Sequence, residues 1–303
     1  MKAITIEAGD YCHPCYASEK YDGWRCMIVD GVMYTSGGNA FKPNVQARFK
    51  PIIDMARRNR MILDGELYCD GVLFSDIAGI LSSSKEVMAL YNLKFYCFDS
   101  IVMEEYNGKK PKQTFRHRGI NYHKFAGRTD CQHVLFMPVR QKKCMCKADA
   151  TAFYNEVKEH CGEGIMLRTI DGLYEPGMRS KGIAKWKVWH TAEAKVVAVA
   201  RQACPVKYAD EVIDGKGYRN VCGSVMVEIL PDQPLAAYAL QKATFTGSQS
   251  IALRRKFWQE RESMVGKIVE IEYLPGGNSG RQARFFRVRE DMSTELADRR
   301  PTP

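Results

Sequence analysis

The sequence lacks any apolar run that could cross a membrane as a helix. No segment of the 303 residues approaches the run of about eighteen apolar residues that such a span needs. The first residues, Met1–Glu7, hold no long apolar core before an acidic side chain, so no signal peptide is expected. We therefore expect a cytoplasmic protein without a membrane partner.

The sequence also lacks the cysteine pattern of a disulfide-rich or zinc-binding protein. Its 11 cysteines are an odd number spread along the chain, which suits a reducing compartment. The two closely spaced sets, Cys12-His13-Pro14-Cys15 and Cys144-Met145-Cys146, have no second Cys/His pair at the spacing of a zinc finger. A structural zinc site is therefore not expected.

No internal repeat or low-complexity tract is present, and only the tail, Arg299–Pro303, has the composition of a disordered end. A chain of 303 residues with 45% hydrophobic and 26% charged residues is long enough for two globular domains. The formal net charge of +10 favours a polyanionic partner, because cationic side chains that neutralise phosphates release condensed counterions. Charge alone does not separate DNA from RNA.

The first part of the chain combines strand and helix patterns. Residues 24–34 alternate around Asp30-Gly31, which predicts a two-stranded hairpin beginning just after Lys20. A similar pattern at 61–73, with Asp70-Gly71 as its turn, predicts a second hairpin. Further strands are expected at 93–102, 164–169 and 185–199, and helices at 44–60 and 153–161. The predicted fold class is α+β, a mixed domain with antiparallel sheets.

The character of the chain changes after Trp189. A helix is expected at 250–263, together with strands at 194–200, 223–230, 266–274 and 283–289. About five strands with one helix indicate a small β-barrel of the oligonucleotide/oligosaccharide-binding (OB) type, which presents a curved face to nucleic acid. We place the boundary near residues 189–192, which gives domains 1–190 and 191–303.

Lys20 lies in the run Glu19-Lys20-Tyr21-Asp22-Gly23-Trp24-Arg25, and four further motifs follow it. Alone this run is a weak signal, because an Asp-Gly turn beside a solvated lysine is common whatever the function. The later motifs are Leu63-Asp64-Gly65-Glu66-Leu67, Phe95-Tyr96-Cys97-Phe98-Asp99, Gly162-Glu163-Gly164-Ile165-Met166 and Lys185-Trp186-Lys187. Their order suits the formation and transfer of a covalent lysyl-nucleotide. The occurrence of all five motifs in one chain is not explained by chance.

Together these motifs resemble the nucleotidyltransferase motifs shared by ATP-dependent DNA ligases, RNA ligases and mRNA capping enzymes. The resemblance is strongest to the small phage- or virus-type ATP-dependent DNA ligases, and the continuation from Trp189 to Val197 resembles the DNA ligase version in particular. It implies an enzyme that seals nicks between a 3′-hydroxyl and a 5′-phosphate in double-stranded DNA. We expect it to act as a monomer.

Two other functions stay open at this stage. An RNA ligase or a capping-type guanylyltransferase would share Lys20, Glu66 and Lys185. A catalytically silent nucleic-acid-binding module would fit the basic charge and the barrel. ATP is the favoured donor, because the segment before Lys20 leaves no room for the extra domain of NAD-dependent ligases.

The resemblance also assigns roles to the residues that carry it. Lys20 is the nucleophile, and its amine must be neutral to attack, whereas free lysine has a pKa of about 10.4. Cationic neighbours oppose its proton. Arg25 is expected to hold sugar or phosphate oxygens, Phe98 to stack on the adenine, and Glu19 to line the nucleotide site. Glu66 and Glu163 are expected to contact the ribose or bind Mg²⁺ or Mn²⁺, since hard cations prefer carboxylate oxygens.

Lys185 and Lys187 alternate with Trp186 and Val188. In a strand, period-two geometry places both ammonium groups on one face. The same pattern would arise on a solvated strand face. By resemblance the two lysines belong to the nucleotide site, where they would neutralise phosphate charge.

Two motifs depart from the family pattern. An arginine usual in a Ser-Arg-x-Gly stretch is missing from Thr35–Asn39, and Lys42 or Arg48 could substitute for it. The last motif, which orients the pyrophosphate leaving group, retains Arg289 and Asp291 but has Met292 where lysine is usual. Enzyme adenylylation is therefore expected to be the weaker half-reaction.

Two segments are candidates for DNA contact. The loop Cys204–Cys222 carries Lys207, Lys216 and Arg219, and we expect it to reach around the duplex. The basic run Lys109-Lys110-Pro111-Lys112, followed by Arg116 and Arg118, would serve equally well as a phosphate contact or a solvated charge run.

Overall fold

The chain forms two compact units, Met1–Val188 and Trp189–Pro303. The structure is a computed structural model, and it describes residues 1–7, 10–11, 13–85, 87–107, 111–125, 135–160, 162–231, 242–246, 250–274 and 281–292. The predicted disordered tail and two lysines of the basic run, Lys109 and Lys110, lie outside these ranges. In the part of the chain that is described, no helix is both long and apolar enough to span a membrane.

The first unit contains two five-stranded sheets. One has the order β1-β10-β9-β2-β8 and is antiparallel except where β1 pairs with β10. Its strands are β1 (Lys2–Thr5), β2 (Cys15–Glu19), β8 (Lys142–Cys144), β9 (Gly164–Thr169) and β10 (Arg179–Lys187). The other has the order β4-β3-β5-β6-β7, with β6 and β7 parallel. Its strands are β3 (Trp24–Val29), β4 (Val32–Thr35), β5 (Met61–Tyr68), β6 (Lys94–Val102) and β7 (Phe136–Pro138).

Helices cover the sheets of this unit with the apolar spacing expected of amphipathic helices. They are α1 (Pro43–Arg48), α2 (Lys50–Arg58), α3 (Phe74–Ser82), α4 (Met103–Asn107), α5 (Phe115–Phe125) and α6 (Lys147–Glu159). Ile52, Ile53 and Met55 of α2 join the core cluster of the second sheet. Phe153 and Val157 of α6, four residues apart, pack with the first sheet. Each sheet therefore has its own core.

Several predicted elements differ from the structure. The hairpin at 24–34 is confirmed as β3 and β4, with Asp30-Gly31 between them. The second predicted hairpin is wrong: only β5 is a strand, and the chain continues from Asp70-Gly71 into α3. The helix at 44–60 is two helices, α1 and α2, and the strand at 185–199 is divided by Val188 and Trp189 between β10 and β11 (His190–Cys204).

The second unit is built on a six-stranded sheet. Besides β11 it contains β12 (Glu211–Ile213), β13 (Lys216–Ile229), β14 (Lys242–Thr246), β15 (Ile268–Leu274) and β16 (Arg281–Val288), with the helices α7 (Ile251–Gln259) and α8 (Arg261–Met264). The order is β12-β13-β11-β15-β16, and β14 pairs with β13. β14 and β16 contact each other, but among the described residues no hydrogen-bonded ladder joins them. A closed barrel is therefore not established.

Candidate active site

A cavity of about 300 Å³ opens on the first unit, and strands of both its sheets line it. Six of the residues predicted for the nucleotide site are in its wall: Glu19, Lys20, Arg25, Glu66, Phe98 and Lys185. Lys187 and Glu163 are not in this lining. The side chain of Lys187 is buried two residues further along β10, and Glu163 is paired with Lys20 beside the cavity. The strand alternation was predicted correctly, but it does not bring both ammonium groups into the cavity.

Lys20 follows the last residue of β2 and is held through its backbone. Its N–H donates to the carbonyl oxygen of Gly164, with an N···O distance of 2.9 Å. Gly164 has a φ of +141°, and a Cβ atom there would lie 2.3 Å from the carbonyl oxygen of Trp186. Only glycine fits this position, so the start of β9 is fixed closely against Lys20.

The side chain of Lys20 forms an ion pair with Glu163. Its Nζ donates to Oε2 of Glu163, which is the residue before β9. The side chains are 21% and 8% exposed, so the pair is largely shielded from water. The pair places a carboxylate oxygen directly against the amine of Lys20.

Arg25 is bound to Asp64, a residue that the sequence did not single out. Nε and Nη2 of Arg25 donate to Oδ1 and Oδ2 of Asp64 at 2.9 and 2.6 Å. Tyr174 donates a third hydrogen bond to this carboxylate, at 2.8 Å. Burial alone would raise the pKa of Asp64, but the charge and hydrogen bonds of Arg25 hold it below its usual value. The same pair raises the pKa of Arg25.

Glu66 lies directly across the sheet from Arg25, in the register of β3 and β5. Desolvation raises the pKa of Glu66 to about 8, while Lys20 and Arg25 oppose the rise and Glu163 adds to it. Burial likewise raises the pKa of Glu19, with a smaller contribution from Asp70. The cavity therefore holds carboxyl groups that a cation would readily ionise.

Phe98 is aimed into the cavity by a β-bulge. Asp64 pairs with Asp99, and Gly65 pairs with Cys97, which leaves Phe98 as the extra residue of β6. A bulge of this kind redirects a side chain that regular pleating would place elsewhere. The ring is thus part of the cavity wall, as the prediction of a base-stacking residue requires.

Arg168 is a second cavity residue that the sequence did not single out. Its guanidinium lies 5.0 Å from the ring centre of Phe98 and 5.2 Å from that of Phe115. Nη1 donates to Oγ of Ser18 at 3.2 Å, whereas the buried Nε has no hydrogen-bond partner. Arg168 is only 2% exposed, and burial lowers its pKa. A buried cation with an unsatisfied donor beside a stacking ring is costly unless a ligand uses it.

Lys185 and Arg179, both on β10, add positive charge to the cavity. Desolvation lowers the pKa of Lys185, and the neighbouring charges of Lys20 and Arg179 lower it further. Across the sheet Lys185 pairs with Met166, which also lines the cavity. The wall thus combines an apolar side with six cationic side chains, the features expected where a nucleotide's base and phosphates meet.

Comparisons with known proteins agree with this geometry. The family model described as the ATP dependent DNA ligase domain matches residues 7–187, more than half of the chain. The chain belongs to the ATP-dependent DNA ligase family. No curated protein matches this sequence.

Solved ligase structures share its fold. A structure called Pmar-Lig_Pre has a TM-score of 0.74 and 16% identity, with 95% of this chain and 67% of that one covered. A structure from a study of Lig E DNA ligases has a TM-score of 0.64 and 22% identity, with 95% and 100% covered. The ATP-dependent ligase of bacteriophage T7, in complex with ATP, has a TM-score of 0.53 and 17% identity, with 95% and 98% covered. At these identities the likeness shows the fold alone.

The donor set of this ligase fits a divalent metal that is bound together with nucleotide phosphates. Among the described residues no group of three or more His, Cys, Asp or Glu side chains could hold a metal by itself. Glu66 and Glu163 are near enough for the charge of one to raise the pKa of the other. Two carboxylates are what Mg²⁺ takes from a protein when waters and phosphates complete its shell.

The second unit of the ligase carries the remaining predicted residues. Arg289 donates to Asp291 at 2.9 and 2.8 Å, which lowers the pKa of Asp291 to about 2, and it also pairs with Glu193. Lys207 lies in a short 3-10 turn, Val206–Tyr208. The expected loop at 204–222 is largely a β-hairpin, in which Lys216 and Arg219 lie on β13.

Some predicted contacts are not borne out. Arg118 is no surface phosphate contact, because it is 1% exposed and donates to Asp99 at 2.7 and 3.2 Å. Arg48 donates to the carbonyl oxygen of Tyr91 and is not part of the cavity, and Lys42 is exposed before α1. Neither substitutes in the cavity for the missing arginine, whereas Arg179 is already there.

Proposed function

We propose that this chain seals nicks between a 3′-hydroxyl and a 5′-phosphate in double-stranded DNA, through adenylate carried on Lys20. One observation carries the proposal: the amine of Lys20 lies in a cavity with a stacking ring, two nearby carboxyl groups and several cations. Residues 1–190 would be the adenylation domain and 191–303 an OB domain that binds DNA as part of a monomer. The contact between β14 and β16 supports a barrel of that type.

The first step moves AMP from ATP to the enzyme. Nζ of Lys20 first gives one proton to Glu163, which frees its lone pair, and then bonds to the α-phosphorus as the bond to the pyrophosphate oxygen breaks. Its second proton passes to the departing pyrophosphate or to water, which leaves a phosphoramidate N–H. Phe98 would stack on the adenine, and Arg168, whose guanidinium lies 5.0 Å from the ring centre of Phe98, would donate to an acceptor on the base. Lys185 and Arg179 offset charge on the phosphates.

The later steps use the same cavity. An oxygen of the nick's 5′-phosphate displaces Lys20 from the adenylate, and the 3′-hydroxyl then attacks that phosphate as AMP leaves. Glu66 and Glu163 would hold Mg²⁺, which as a Lewis acid would offset charge on the reacting phosphate. Arg179 would grip the 5′-phosphate in place of the arginine missing from Thr35–Asn39. Arg289 and Asp291 would orient pyrophosphate in the first step.

The test is sealing of a labelled nicked duplex with ATP and Mg²⁺. Wild type is expected to seal it, Lys20→Ala to fail, and Lys143→Ala, an exposed lysine on β8, to behave as wild type. With a nick that already carries AMP, Lys20→Ala is expected to regain sealing, since only the first step needs the nucleophile. Sealing of the plain nick by Lys20→Ala would contradict the proposal, and a preference for GTP or for an RNA substrate would replace it with an RNA ligase or capping enzyme.

A further inference from the structure

The predicted DNA loop of the second unit is an ordered hairpin. β12 pairs with β13 through Glu211–Tyr218, Val212–Gly217 and Ile213–Lys216. Asp214 and Gly215 form its turn with φ values of +48° and +73°, as a two-residue turn between twisted strands requires. We call these residues, 205–219, the hairpin. It extends from the body of the sheet, because β11 and β13 stay paired as far as Cys204 and Gly217.

Arg201 of β11 binds both strands of the hairpin. Its Nη1 donates to Oε2 of Glu211 on β12 at 2.5 Å. Its Nε donates to the carbonyl oxygen of Arg219 on β13 at 3.2 Å, and its Nη2 donates to Oδ1 of Asn220. A planar guanidinium fork can hold three such acceptors at once, whereas lysine cannot.

The other side of Arg201 rests on the body of the unit. Its guanidinium lies 5.3 Å from the ring centre of Trp258 on α7, and Trp258 packs against the core of this unit. Arg254 of the same helix donates from Nε to the carbonyl oxygen of Cys222 at 2.8 Å, which ties α7 to β13. Arg201 therefore links the hairpin to the core through its side chain, in addition to the backbone pairing of β11 with β13.

Arg201 is poorly placed to bind DNA itself. Its side chain is only 11% exposed, and the three nitrogens of its guanidinium donate within the protein. The hairpin, in contrast, exposes Val212 and Ile213 beside the cation of Lys216. The exposed cations of the hairpin, Lys207, Lys216 and Arg219, are the groups that could meet phosphates, and they lie among the acidic side chains of Asp210, Glu211 and Asp214.

We propose that Arg201 is a positioning residue that holds the hairpin in its DNA-binding arrangement before DNA arrives. This inference rests on the proposed function, in which the hairpin contacts the nicked duplex. Ordering a flexible hairpin on binding costs conformational entropy. A hairpin that is ordered beforehand avoids this cost, so its affinity for DNA is higher than that of a flexible one. Arg201 acts through Glu211 and Asn220 and does not touch the phosphates.

The test compares Arg201→Lys with wild type and with a matched control. The control, Arg255→Lys, makes the same charge-conserving change at an exposed position on α7. Hydrogen exchange followed by mass spectrometry is expected to show amides of 211–220 in Arg201→Lys exchanging about tenfold faster, with β15 unchanged. Nick affinity is expected to fall about threefold to tenfold, with an unchanged slope of log Kd against log salt concentration. The control is expected to keep wild-type exchange in the hairpin.

Each other outcome overturns the proposal. Unchanged exchange at 211–220 would show that Arg201 does not hold the hairpin. In Arg201→Ala, which removes the charge, a salt slope reduced by about one would indicate that Arg201 contacts a phosphate directly. If Arg201→Lys still weakens nick binding after residues 207–219 are replaced by a Gly-Ser turn, it does not act through the hairpin. Labelling of Lys20 by ATP is measured on the same proteins. If Lys20 is labelled, any of these results counts against the role of Arg201 alone, and if it is not labelled, the proposed function itself fails.

Discussion

Lys20 and Glu163 are 143 residues apart in the sequence, yet Nζ of the lysine donates directly to the carboxylate of the glutamate. The contact is made because β2 and β9 are neighbours in one sheet, with Glu19 opposite Ile165. It places a carboxylate oxygen against the amine of Lys20, which lines the cavity.

Replacing Glu163 by glutamine should therefore slow adenylylation of Lys20 strongly. The amide keeps the size of the side chain but no longer accepts a proton or binds a cation, so we expect a loss of roughly 10²-fold or more in the rate of the first step. Glu156→Gln, an exposed change on α6, is the control. The measurement is single-turnover transfer of labelled AMP. A rate within a few fold of wild type would remove Glu163 from the chemistry.

Glu66 should make the stability of the nucleotide-free protein fall as pH rises. Its folded pKa, about 8, lies above the ordinary value of 4.5, so between these values the folded state holds a proton that the unfolded state has lost. This contribution to stability is complete near pH 4.5 and disappears through pH 8. Thermal unfolding of Glu66→Gln, which mimics the protonated form, should show a smaller decline across that range. Equal slopes for both proteins would contradict the assignment.

Arg168 should cost stability and contribute nucleotide affinity. Its guanidinium is buried, has an unpartnered Nε and lies beside Phe98. Arg168→Met should leave the melting temperature unchanged or raise it, because a buried charge without an ion pair is replaced by an apolar group. The Kd for ATP should rise about tenfold with the loss of the cation beside the stacking ring. Arg116→Met, an exposed change on α5, is the control. Unchanged ATP affinity would exclude a role at the base.

Asp64 should be a major determinant of stability in the first unit. Asp64→Asn leaves the Arg25 guanidinium without its carboxylate, so unfolding free energy should fall by about 3 kcal/mol. Tyr174→Phe removes one hydrogen bond to the same group and should cost about 1 kcal/mol. The folded state holds the pKa of Asp64 below its usual value, so the stability that this carboxylate contributes is lost as pH falls through the folded pKa. The difference in unfolding free energy between wild type and Asp64→Asn should therefore shrink at acidic pH. Denaturant unfolding of both variants measures this. Equal losses of unfolding free energy in Asp64→Asn and Tyr174→Phe would indicate that the ion pair with Arg25 adds no stability.

The lysines of the hairpin should contribute to DNA affinity in proportion to the phosphates they meet. Lys207→Ala and Lys216→Ala should each weaken nick binding and lower the salt slope by about one. Neither change should alter labelling of Lys20, since both residues lie in the second unit. Wild-type affinity and slope in the double variant would remove the hairpin from the DNA interface.

The catalytic motifs could be predicted from sequence because short local patterns specify them. Asp30-Gly31 predicted the hairpin that follows Lys20. The alternation of apolar and charged residues predicted that Lys185 lies in a strand, which is β10. Asp70-Gly71 was misleading, since the same turn signal leads into a helix when apolar residues follow at a spacing of four, as Ile77 and Leu81 do. A turn does not determine the element after it.

Asp64 and Arg168 could not be predicted because their roles depend on partners distant in sequence. Asp64 looks like part of an apolar strand until its carboxylate meets the guanidinium of Arg25, which is 39 residues away in sequence and lies diagonally across the sheet. Arg168 resembles any polar strand residue until Phe98 and Phe115 enclose it. The bulge that aims Phe98 also arises from pairing between strands and leaves no local signal. For this reason the sequence singled out Lys20 but not Asp64 and Arg168, which line the same cavity.

The account depends on Lys20 as the carrier of adenylate, and peptide mass spectrometry after incubation with ATP and Mg²⁺ tests this directly. We predict one AMP on the peptide that contains Lys20, lost on addition of nicked DNA and absent from Lys20→Ala. Protein that never acquires AMP at this position, or that carries it on Lys185 instead, would contradict the account.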